Sequence, residues 1–251
     1  MSTLSIVIPA LNEAVNLPRV MASIPRDRLE REGWHVDVLI VDNGSTDGTG
    51  QVALALGAHV VHEPRRGYGN AYRAGFTAAT GDVIATGDAD CTYPFDALPR
   101  LLHSLTEDQV EFLTTNRLGH ENRAAMKRSH AVGNHVLSTV SRALFRNAIR
   151  DSQSGMWVFR RYVWHQLRVF STGMSFSQEL KNAATLAGFR YAEVPIEYRV
   201  RGGEVKLHAV RAGAGNLAQL VGHRFRRPIE RCVTTVIDLR EPATVAQSEE
   251  A

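Results

Sequence analysis

The sequence has few cysteines and no long hydrophobic run, and each of these shortages excludes a class of protein. Its two cysteines, Cys91 and Cys232, lie far apart. They predict neither a disulfide framework nor a zinc site, so we expect two reduced thiols. No stretch reaches the roughly 18 consecutive apolar residues that cross a bilayer. The start, MSTLSIVIPALNE, lacks the charged n-region and cleavage site of a signal peptide. We therefore expect a cytoplasmic protein, with at most peripheral contact at the inner face of the cytoplasmic membrane.

Two familiar nucleotide-binding motifs are also missing. The chain contains no GxxxxGK[ST] sequence and no GxGxxG after a strand, which argues against a P-loop NTPase and a Rossmann dehydrogenase. Residues 65–70 (RRGYGN) instead predict a tight entry into a helix whose free backbone N–H groups can face an anion. The histidines at 130, 135 and 208 have no second ligand at metal spacing, so we interpret them as surface or packing residues.

Charge is distributed unevenly along the chain. The net charge is +3, but residues 1–116 carry −7, residues 117–227 carry +13 and residues 228–251 carry −3. With 44% hydrophobic residues, the chain can bury a substantial core. We predict one domain over 1–227 and a flexible acidic tail over 228–251.

The most basic stretch, 117–168, begins at Arg117. Its charge predicts a surface for a phosphate-bearing acceptor, with Arg117 as a candidate contact, or for an anionic membrane. An ordinary solvated face is the alternative. No stacking or groove-reading motif accompanies the charge, so we predict no nucleic-acid partner. Whether the chain forms a homo-oligomer stays open.

Hydrophobic runs alternate with helical patterns in the first half, which predicts an α/β fold with a mostly parallel sheet and flanking helices. The predicted strands are 4–9, 36–41, 58–62, 82–87, 110–115, 155–159 and 190–198. The predicted helices are 16–24, 48–57, 70–80, 95–105, 123–148 and 177–187.

Functional groups in such sheets collect at the carboxyl ends of strands, so residues 9–13, 42–47 and 88–90 form one candidate rim. Asp88 and Asp90 stand two residues apart after a strand, and on extended backbone they would project the same way. Such a pair suits a Mg²⁺ or Mn²⁺ ion bridging to a diphosphate; a solvated turn is the alternative. Asp42 is either an acceptor for a nucleoside N–H or hydroxyl group or part of a turn.

Seven segments, in order, together resemble glycosyltransferase family 2, most closely its dolichyl- and polyprenyl-phosphate mannosyltransferase or glucosyltransferase group. They are IVIPALNE (6–13), VDNGSTDGT (41–49), RRGYGNAYRAGF (65–76), DADCTYP (88–94), DSQSGMWVF (151–159), GMSFSQEL (173–180) and EVPIEYRVRGGEVKL (193–207).

The resemblance implies a GT-A type fold, a nucleotide-diphosphate sugar donor and an inverting, metal-dependent transfer. Within it, residues 1–116 would hold donor and metal, and 117–227 the acceptor. The implied donor residues are Pro9, Asn12, Glu13, Asp42, Gly67, Asp88, Ala89 and Asp90, with Asp90 and Asp88 as metal ligands. Glu179 would lie near sugar and acceptor, and the implied phosphate-contacting cations are Arg199, Arg201 and Lys206.

The acceptor decides what the catalytic carboxylates must do. A polyprenyl phosphate oxygen is already anionic, so Glu179 would then only orient the substrates. A hydroxyl acceptor needs a base, for which Glu179 is the first candidate and Asp151 the second. The alternatives are an exposed helix residue for Glu179 and a cap for Asp151.

The chain departs from the family pattern at Cys91, 153–157 (QSGMW) and 205–207 (VKL), and the last two departures leave the sugar and the acceptor open. The altered 153–157 motif and the lack of a spanning helix favour the alternative, a soluble enzyme that glycosylates a hydroxyl or amine of a small metabolite. A non-enzymatic sugar-nucleotide-binding protein is disfavoured by the intact Asp88, Asp90 and Glu179. A nucleotidyltransferase would need a Gly-rich loop that residues 9–16 lack.

The segment 207–227 has two interpretations, a helix lying on a membrane or one packed on the domain. The apolar residues for the first are Leu207, Val210, Leu217, Leu220, Val221 and Phe225.

Overall fold

The structure is a computed structural model that describes residues 1–126, 128–202, 209–226 and 236–237. Its strands are β1 (Ser2–Ala10), β2 (Trp34–Asp42), β3 (His59–His62), β4 (Val83–Thr86), β5 (Phe112–Asn116), β6 (Trp157–Arg160), β7 (Tyr191–Pro195) and β8 (Val236–Ile237). Its helices are α1 (Leu17–Ala22), α2 (Arg26–Arg31), α3 (Thr49–Ala55), α4 (Tyr68–Ala78), α5 (Leu98–Glu107), α6 (Arg128–Phe145), α7 (Arg161–Gln166), α8 (Phe176–Leu186) and α9 (Ala209–Arg226), with 3-10 turns at Phe95–Ala97 and His120–Ala124.

The strands form one sheet in the order β3-β2-β1-β4-β6-β5-β7-β8. Neighbouring strands are parallel except at β6, which runs antiparallel to both β4 and β5. The prediction of a mostly parallel sheet with flanking helices is confirmed. Because β6 is reversed, the residues that precede it lie at the same edge as the residues that follow β4. This reversal brings the 151–156 segment to the predicted rim.

Helices cover both faces of the sheet. Along β1, Leu4, Ile6 and Ile8 belong to one buried cluster and Val7 to the other, as the two-residue period of a strand requires. The first cluster includes side chains of α1, α2, α3 and α5, and the second those of α4, α7 and α8. In the second, the ring centroids of Tyr72 and Trp157 are 4.9 Å apart. Burial on both faces explains why the strands read as continuous apolar runs.

The sequence missed two six-residue helices, α2 and α7, which are too short to show a hydrophobic period. The predicted helix over 123–148 was too long, since a 3-10 turn ends at Ala124 and α6 runs from Arg128 to Phe145. In addition, β4 ends at Thr86 and residues 89–90 lie in a turn. The extended-backbone argument for Asp88 and Asp90 was therefore wrong.

The basic stretch 117–168 does not form a single surface. Arg117 is buried at the end of β5. Arg161 donates from Nε to the carbonyl oxygen of Gly81 at 2.8 Å, near the start of β4 and thus opposite the rim. Arg142 lies on α6, while Lys127 lies outside the described residues. Counting the positive charges along 117–168 therefore overestimated the charge that lies on any one surface.

The end of the chain is described in part. Residues 236–237 form β8 beside β7; the remainder of the predicted 228–251 tail lies outside the described residues, and its flexibility stays a prediction. None of the helices in the described ranges is long and apolar enough to cross a membrane.

Candidate functional site

Two loops meet where β1 and β2 end. The backbone N–H of Asn43 donates to the carbonyl oxygen of Ala10 at 2.9 Å. Asn12 accepts a hydrogen bond from the Thr46 N–H at 2.8 Å and donates its own N–H to Ser45 Oγ at 3.0 Å. The φ of Asn12 is 55°, a left-handed conformation that asparagine tolerates better than most residues. These contacts join the first two predicted parts of the rim.

Asp42 and Glu13 lie in the same corner. One oxygen of Asp42 accepts the Ser45 N–H at 2.9 Å, while the other faces a hollow and lies 3.8 Å from His62 Nδ1. Glu13 accepts a hydrogen bond from Asn16 Nδ2 at 2.6 Å. Asp42 thus belongs to a turn beside a hollow, and its predicted contact with a nucleoside stays a prediction.

Pro9 and Ala89 support the rim through the backbone and the core. Pro9 lies within β1, in register with Val41 of β2. Ala89 is 1% exposed and belongs to the core cluster that includes α1 and α5. Its packing anchors the turn between the two aspartates. Their predicted donor contacts stay predictions.

Asp88 is a half-buried carboxyl held by two tyrosines. Tyr68 donates its hydroxyl to Asp88 Oδ1 at 3.2 Å, and Tyr72 donates to the same oxygen at 3.4 Å. Removal from water and, second, the negative charge of nearby Asp90 together raise the pKa of Asp88 from 3.8 to about 7. Two acidic groups forced together in this way favour a bound cation.

Asp90 divides its oxygens between a turn and a cation. Its Oδ1 accepts hydrogen bonds from the N–H and the hydroxyl of Thr92, at 3.1 and 2.6 Å. Its Oδ2 lies 3.2 Å from a terminal nitrogen of Arg201. Of the described residues, no three His, Cys, Asp or Glu side chains gather into a metal cluster. A pair of carboxylate oxygens nevertheless fits a hard divalent cation that takes its other ligands from phosphate and water, so the donor set suits Mg²⁺ or Mn²⁺.

Gly155 allows this arrangement. A Cβ at that position would overlap the Tyr68 hydroxyl and would lie 3.6 Å from Asp88 Oδ1. The Gly155 N–H also donates to the Tyr93 hydroxyl oxygen at 2.6 Å. A side chain here would displace Tyr68, so glycine is required by close approach and not by φ.

Gly67 lies where the donor half meets the 170–173 segment. Its φ is 139°, and a Cβ would overlap the carbonyl oxygen of Thr172. The Gly67 N–H donates to Asn43 Oδ1 at 2.7 Å, and the Gly69 N–H donates to the Thr172 oxygen at 2.8 Å. The predicted approach of a nucleotide to Gly67 is untested, but its backbone fixes the 65–70 loop against that segment.

Glu179 holds the 170–173 segment from the other side. It is 3% exposed, so the exposed-helix alternative does not describe it. Its carboxylate accepts the Phe170 N–H at 3.1 Å and the Ser171 N–H at 2.7 Å. His223 Nε2 of α9 lies 3.5 Å away. The geometry makes Glu179 the anchor of a loop that in turn contacts Gly67 and Gly69.

Asp151 and Arg117 form a buried ion pair. Asp151 is fully buried, and Arg117 contacts its two oxygens from Nε and a terminal nitrogen, at 2.8 and 3.0 Å. Burial raises the pKa of Asp151, but Arg117 outweighs it and holds the pKa below its usual value. Asp151 also accepts the Gln153 N–H at 3.2 Å. The roles of base for Asp151 and of acceptor contact for Arg117 stay predictions. The ion pair between the two side chains disfavours both roles.

The late cations separate. Arg199 pairs with Asp96 at 2.9 Å and with Glu197 at 3.7 Å, whereas Arg201 reaches Asp90. Lys206 lies outside the described residues. Of the three predicted phosphate contacts, the structure therefore brings Arg201 to the acidic pair.

Several residues that contact the candidate site residues or one another were not predicted from the sequence. Tyr68 and Tyr72 lie four residues apart on α4, a helical spacing that could have revealed their shared face. Gln153 Nε2 donates to Gln178 Oε1 at 2.9 Å, and Asn216 Nδ2 of α9 donates to Gln153 Oε1 at 3.1 Å. This amide cluster joins three distant segments, and no local pattern could have indicated it.

Comparisons with known proteins identify the family. A family model described as "Glycosyl transferase family 2" matches residues 5–168. The chain is 35% identical over 209 residues to a low-salt glycan biosynthesis hexosyltransferase of Haloferax volcanii, covering 82% of this chain and half of that protein. It is 32% identical to the dolichyl-phosphate hexose transferase of the same organism, over 84% of this chain and 89% of that one. It is also 31% identical to the polyprenol monophosphomannose synthase of Mycolicibacterium smegmatis, over 78% and 77%.

Among solved structures, the glucosyl-3-phosphoglycerate synthase of Mycobacterium tuberculosis, crystallised with Mn²⁺, UDP-glucose and phosphoglyceric acid, superposes with a TM-score of 0.69. The two chains are 23% identical, and the match covers 89% of this chain and 80% of that one. The predicted GT-A type fold is confirmed by this likeness.

Proposed function

This chain belongs to glycosyl transferase family 2, and from that premise we propose that it transfers a hexose from a nucleotide-diphosphate hexose to a polyprenyl or dolichyl phosphate. The donor would be of the GDP-mannose or UDP-glucose type, the transfer inverting, and the cofactor Mg²⁺ or Mn²⁺. The observation that carries the proposal is the acidic pair, Asp88 and Asp90, at the carboxyl end of β4 and beside Arg201. Two relatives named for dolichyl-phosphate and polyprenol chemistry support the acceptor.

The residues of the rim suit the steps of such a transfer. Asp42 presents an oxygen to a nucleoside beside β2, and Asp88 and Asp90 would hold the metal. When bound, the metal neutralises charge on the leaving diphosphate. Arg201 is the nearby cation able to share that charge.

The state of the two predicted bases favours a phosphate acceptor over a hydroxyl acceptor. Glu179 is buried with its carboxylate on the N–H groups of Phe170 and Ser171. Asp151 is paired with Arg117. Each would have to break these contacts to accept a proton, which costs free energy for a buried charge. A polyprenyl phosphate makes no such demand, because its attacking oxygen is already ionised.

Helix α9 and its surroundings suit peripheral membrane contact. Leu220 is fully buried, so the membrane-facing role predicted for it was wrong. Leu217, Val221 and Phe225, spaced four residues apart, are 39%, 41% and 84% exposed. The helix thus packs on the domain and still exposes an apolar stripe, which supports peripheral membrane contact as a proposal. Leu207 lies outside the described residues.

A transfer assay with purified protein tests the function. Labelled GDP-mannose and UDP-glucose are each offered with Mn²⁺ or Mg²⁺ and a short polyprenyl phosphate, and the lipid-linked sugar is measured. We expect acceptor-dependent transfer that is lost in Asp90→Asn and retained in the control Asp96→Asn, an exposed carboxylate. The product's anomeric configuration reports inversion.

A parallel assay offers 3-phosphoglycerate and hydroxylic metabolites. Turnover of one of these without lipid transfer would select the small-metabolite enzyme instead. No transfer with any donor and acceptor would refute the proposal.

A further inference from the structure

Arg201 occupies the position where a divalent cation would approach Asp90. Because Asp90 Oδ1 is bound to Thr92, Oδ2 is the oxygen left to face a cation. A terminal nitrogen of Arg201 lies 3.2 Å from that oxygen. A divalent ion bonded to Oδ2 at about 2.1 Å would enter the same space and would repel the guanidinium. Arg201 and a metal would therefore compete for one oxygen.

The backbone around Arg201 is held in place, so the guanidinium could leave Asp90 by a movement of the side chain alone. The Arg199 N–H donates to the Thr92 carbonyl oxygen at 2.9 Å, and the Gly202 N–H donates to the Asp90 carbonyl oxygen at 2.9 Å. Asn16 Nδ2 donates to the Gly202 carbonyl oxygen at 3.0 Å. These three bonds hold the 199–202 segment along the 90–92 turn, which keeps the guanidinium within reach of the acidic pair.

The hydrogen bonding of Arg201 is incomplete. Its Nε is buried and has no hydrogen-bond partner among the described residues, although its side chain is 32% exposed. An unused buried N–H carries a free-energy cost that a suitable acceptor would remove. A guanidinium offers parallel N–H donors that match phosphate oxygens. The other arginine of the segment, Arg199, is already paired with Asp96.

From these contacts we propose that Arg201 is the counter-ion of Asp90 in the metal-free protein, that a divalent cation displaces it, and that it then binds the diphosphate of the donor. The inference rests on the proposed function and assigns Arg201 two partners in sequence. As a result, binding of the metal favours binding of the donor, because the metal frees the arginine that the diphosphate needs.

Direct binding measurements on Arg201→Gln test the exchange. Mn²⁺ affinity is measured by electron paramagnetic resonance without nucleotide, and UDP and GDP affinities by calorimetry with saturating Mn²⁺. We expect Arg201→Gln to bind Mn²⁺ about fivefold or more tightly and the preferred diphosphate about fivefold or more weakly than the wild type. A merely structural arginine would not shift the two affinities in opposite directions.

Two further variants serve as controls. Arg201→Lys keeps the charge and should retain near wild-type Mn²⁺ affinity. Arg100→Gln removes one positive charge from α5, where Arg100 donates to the Pro195 carbonyl oxygen, and should change neither affinity. Thermal unfolding of each variant verifies that it is folded.

The outcomes separate this inference from the function. If Arg201→Gln binds Mn²⁺ no better than the wild type while the wild type binds metal and donor, the exchange is refuted and the function stands. If neither protein binds Mn²⁺ without nucleotide, the exchange is refuted, and metal-dependent transfer is decided by the transfer assay alone. Binding of Mn²⁺ by the variant alone would support the exchange in its strongest form.

Discussion

Replacing Asp88 by asparagine should stabilise the metal-free protein above neutral pH while removing a carboxylate from the proposed metal site. Asp88 is half-buried beside Asp90, and its pKa is raised from 3.8 to about 7. The folded state therefore keeps a proton on Asp88 at pH values where the unfolded chain has released it. Asparagine retains an oxygen that accepts from Tyr68 and Tyr72 but never ionises.

The magnitude follows from the shift. Each unit of pKa difference is worth about 1.4 kcal/mol. A rise from 3.8 to about 7 therefore destabilises the folded wild type by up to about 4 kcal/mol above pH 7. Well below pH 3.8 the group is protonated in both states and the penalty vanishes. As pH rises from 5 to 8, the free energy of unfolding of the wild type should fall relative to Asp88→Asn by about 2 to 3 kcal/mol.

Urea unfolding in EDTA at pH 5, 6, 7 and 8 measures this difference. The control Asp27→Asn removes an exposed carboxylate in the first turn of α2 and should change the free energy of unfolding by a similar small amount at every pH. A difference between wild type and Asp88→Asn that stays constant from pH 5 to 8 would refute the reasoning. So would one that grows in favour of the wild type.

Two further variants test the packing around the acidic pair. In chemical denaturation, Gly155→Ala should lower the free energy of unfolding by about 1–3 kcal/mol because its Cβ overlaps the Tyr68 hydroxyl. The control Gly133→Ala on α6, with nothing within 4 Å, should be neutral or stabilising by up to about 1 kcal/mol. Equal effects of the two substitutions would contradict the close approach at Gly155. Asp151→Asn should lower the free energy of unfolding by about 3–5 kcal/mol because Arg117 is left buried without its carboxylate; a variant that unfolds like the wild type but loses turnover would instead identify Asp151 as a base.

Much of the fold could be predicted from the sequence because its elements are local. The β-branched runs at β1 and β2 and the glycine after α3 are signals within one segment, and their alternation predicts a parallel sheet. The ordered motifs predicted family 2 and the GT-A fold, and both are confirmed. The errors came where local pattern and tertiary packing diverge, as in the turn after β4 and in the short helices α2 and α7.

The residues of the candidate site could be predicted, but not which side chains contact one another. The rim residues Asp42, Asp88 and Asp90 were found from their places after strands. The partners of Glu179 and Asp151 were not. The loop before α8 folds back to bring the Phe170 N–H to Glu179, and the pairing of β5 with β6 brings Arg117 to Asp151. The basic stretch misled for the same reason, since its residues lie on different faces.

The kinds of strand and helix and the types of residue available for chemistry follow from neighbours along the chain, and seven ordered motifs indicate the family, so all of these could be predicted without a structure. Tertiary structure alone decided which charges meet. The reversal of β6 placed Gly155 beside Asp88, and the course of the 197–202 segment along residues 90–96 placed Arg201 on Asp90. Electrostatic interactions depend on distance and burial, so the state of each carboxylate is fixed only when distant segments pack together.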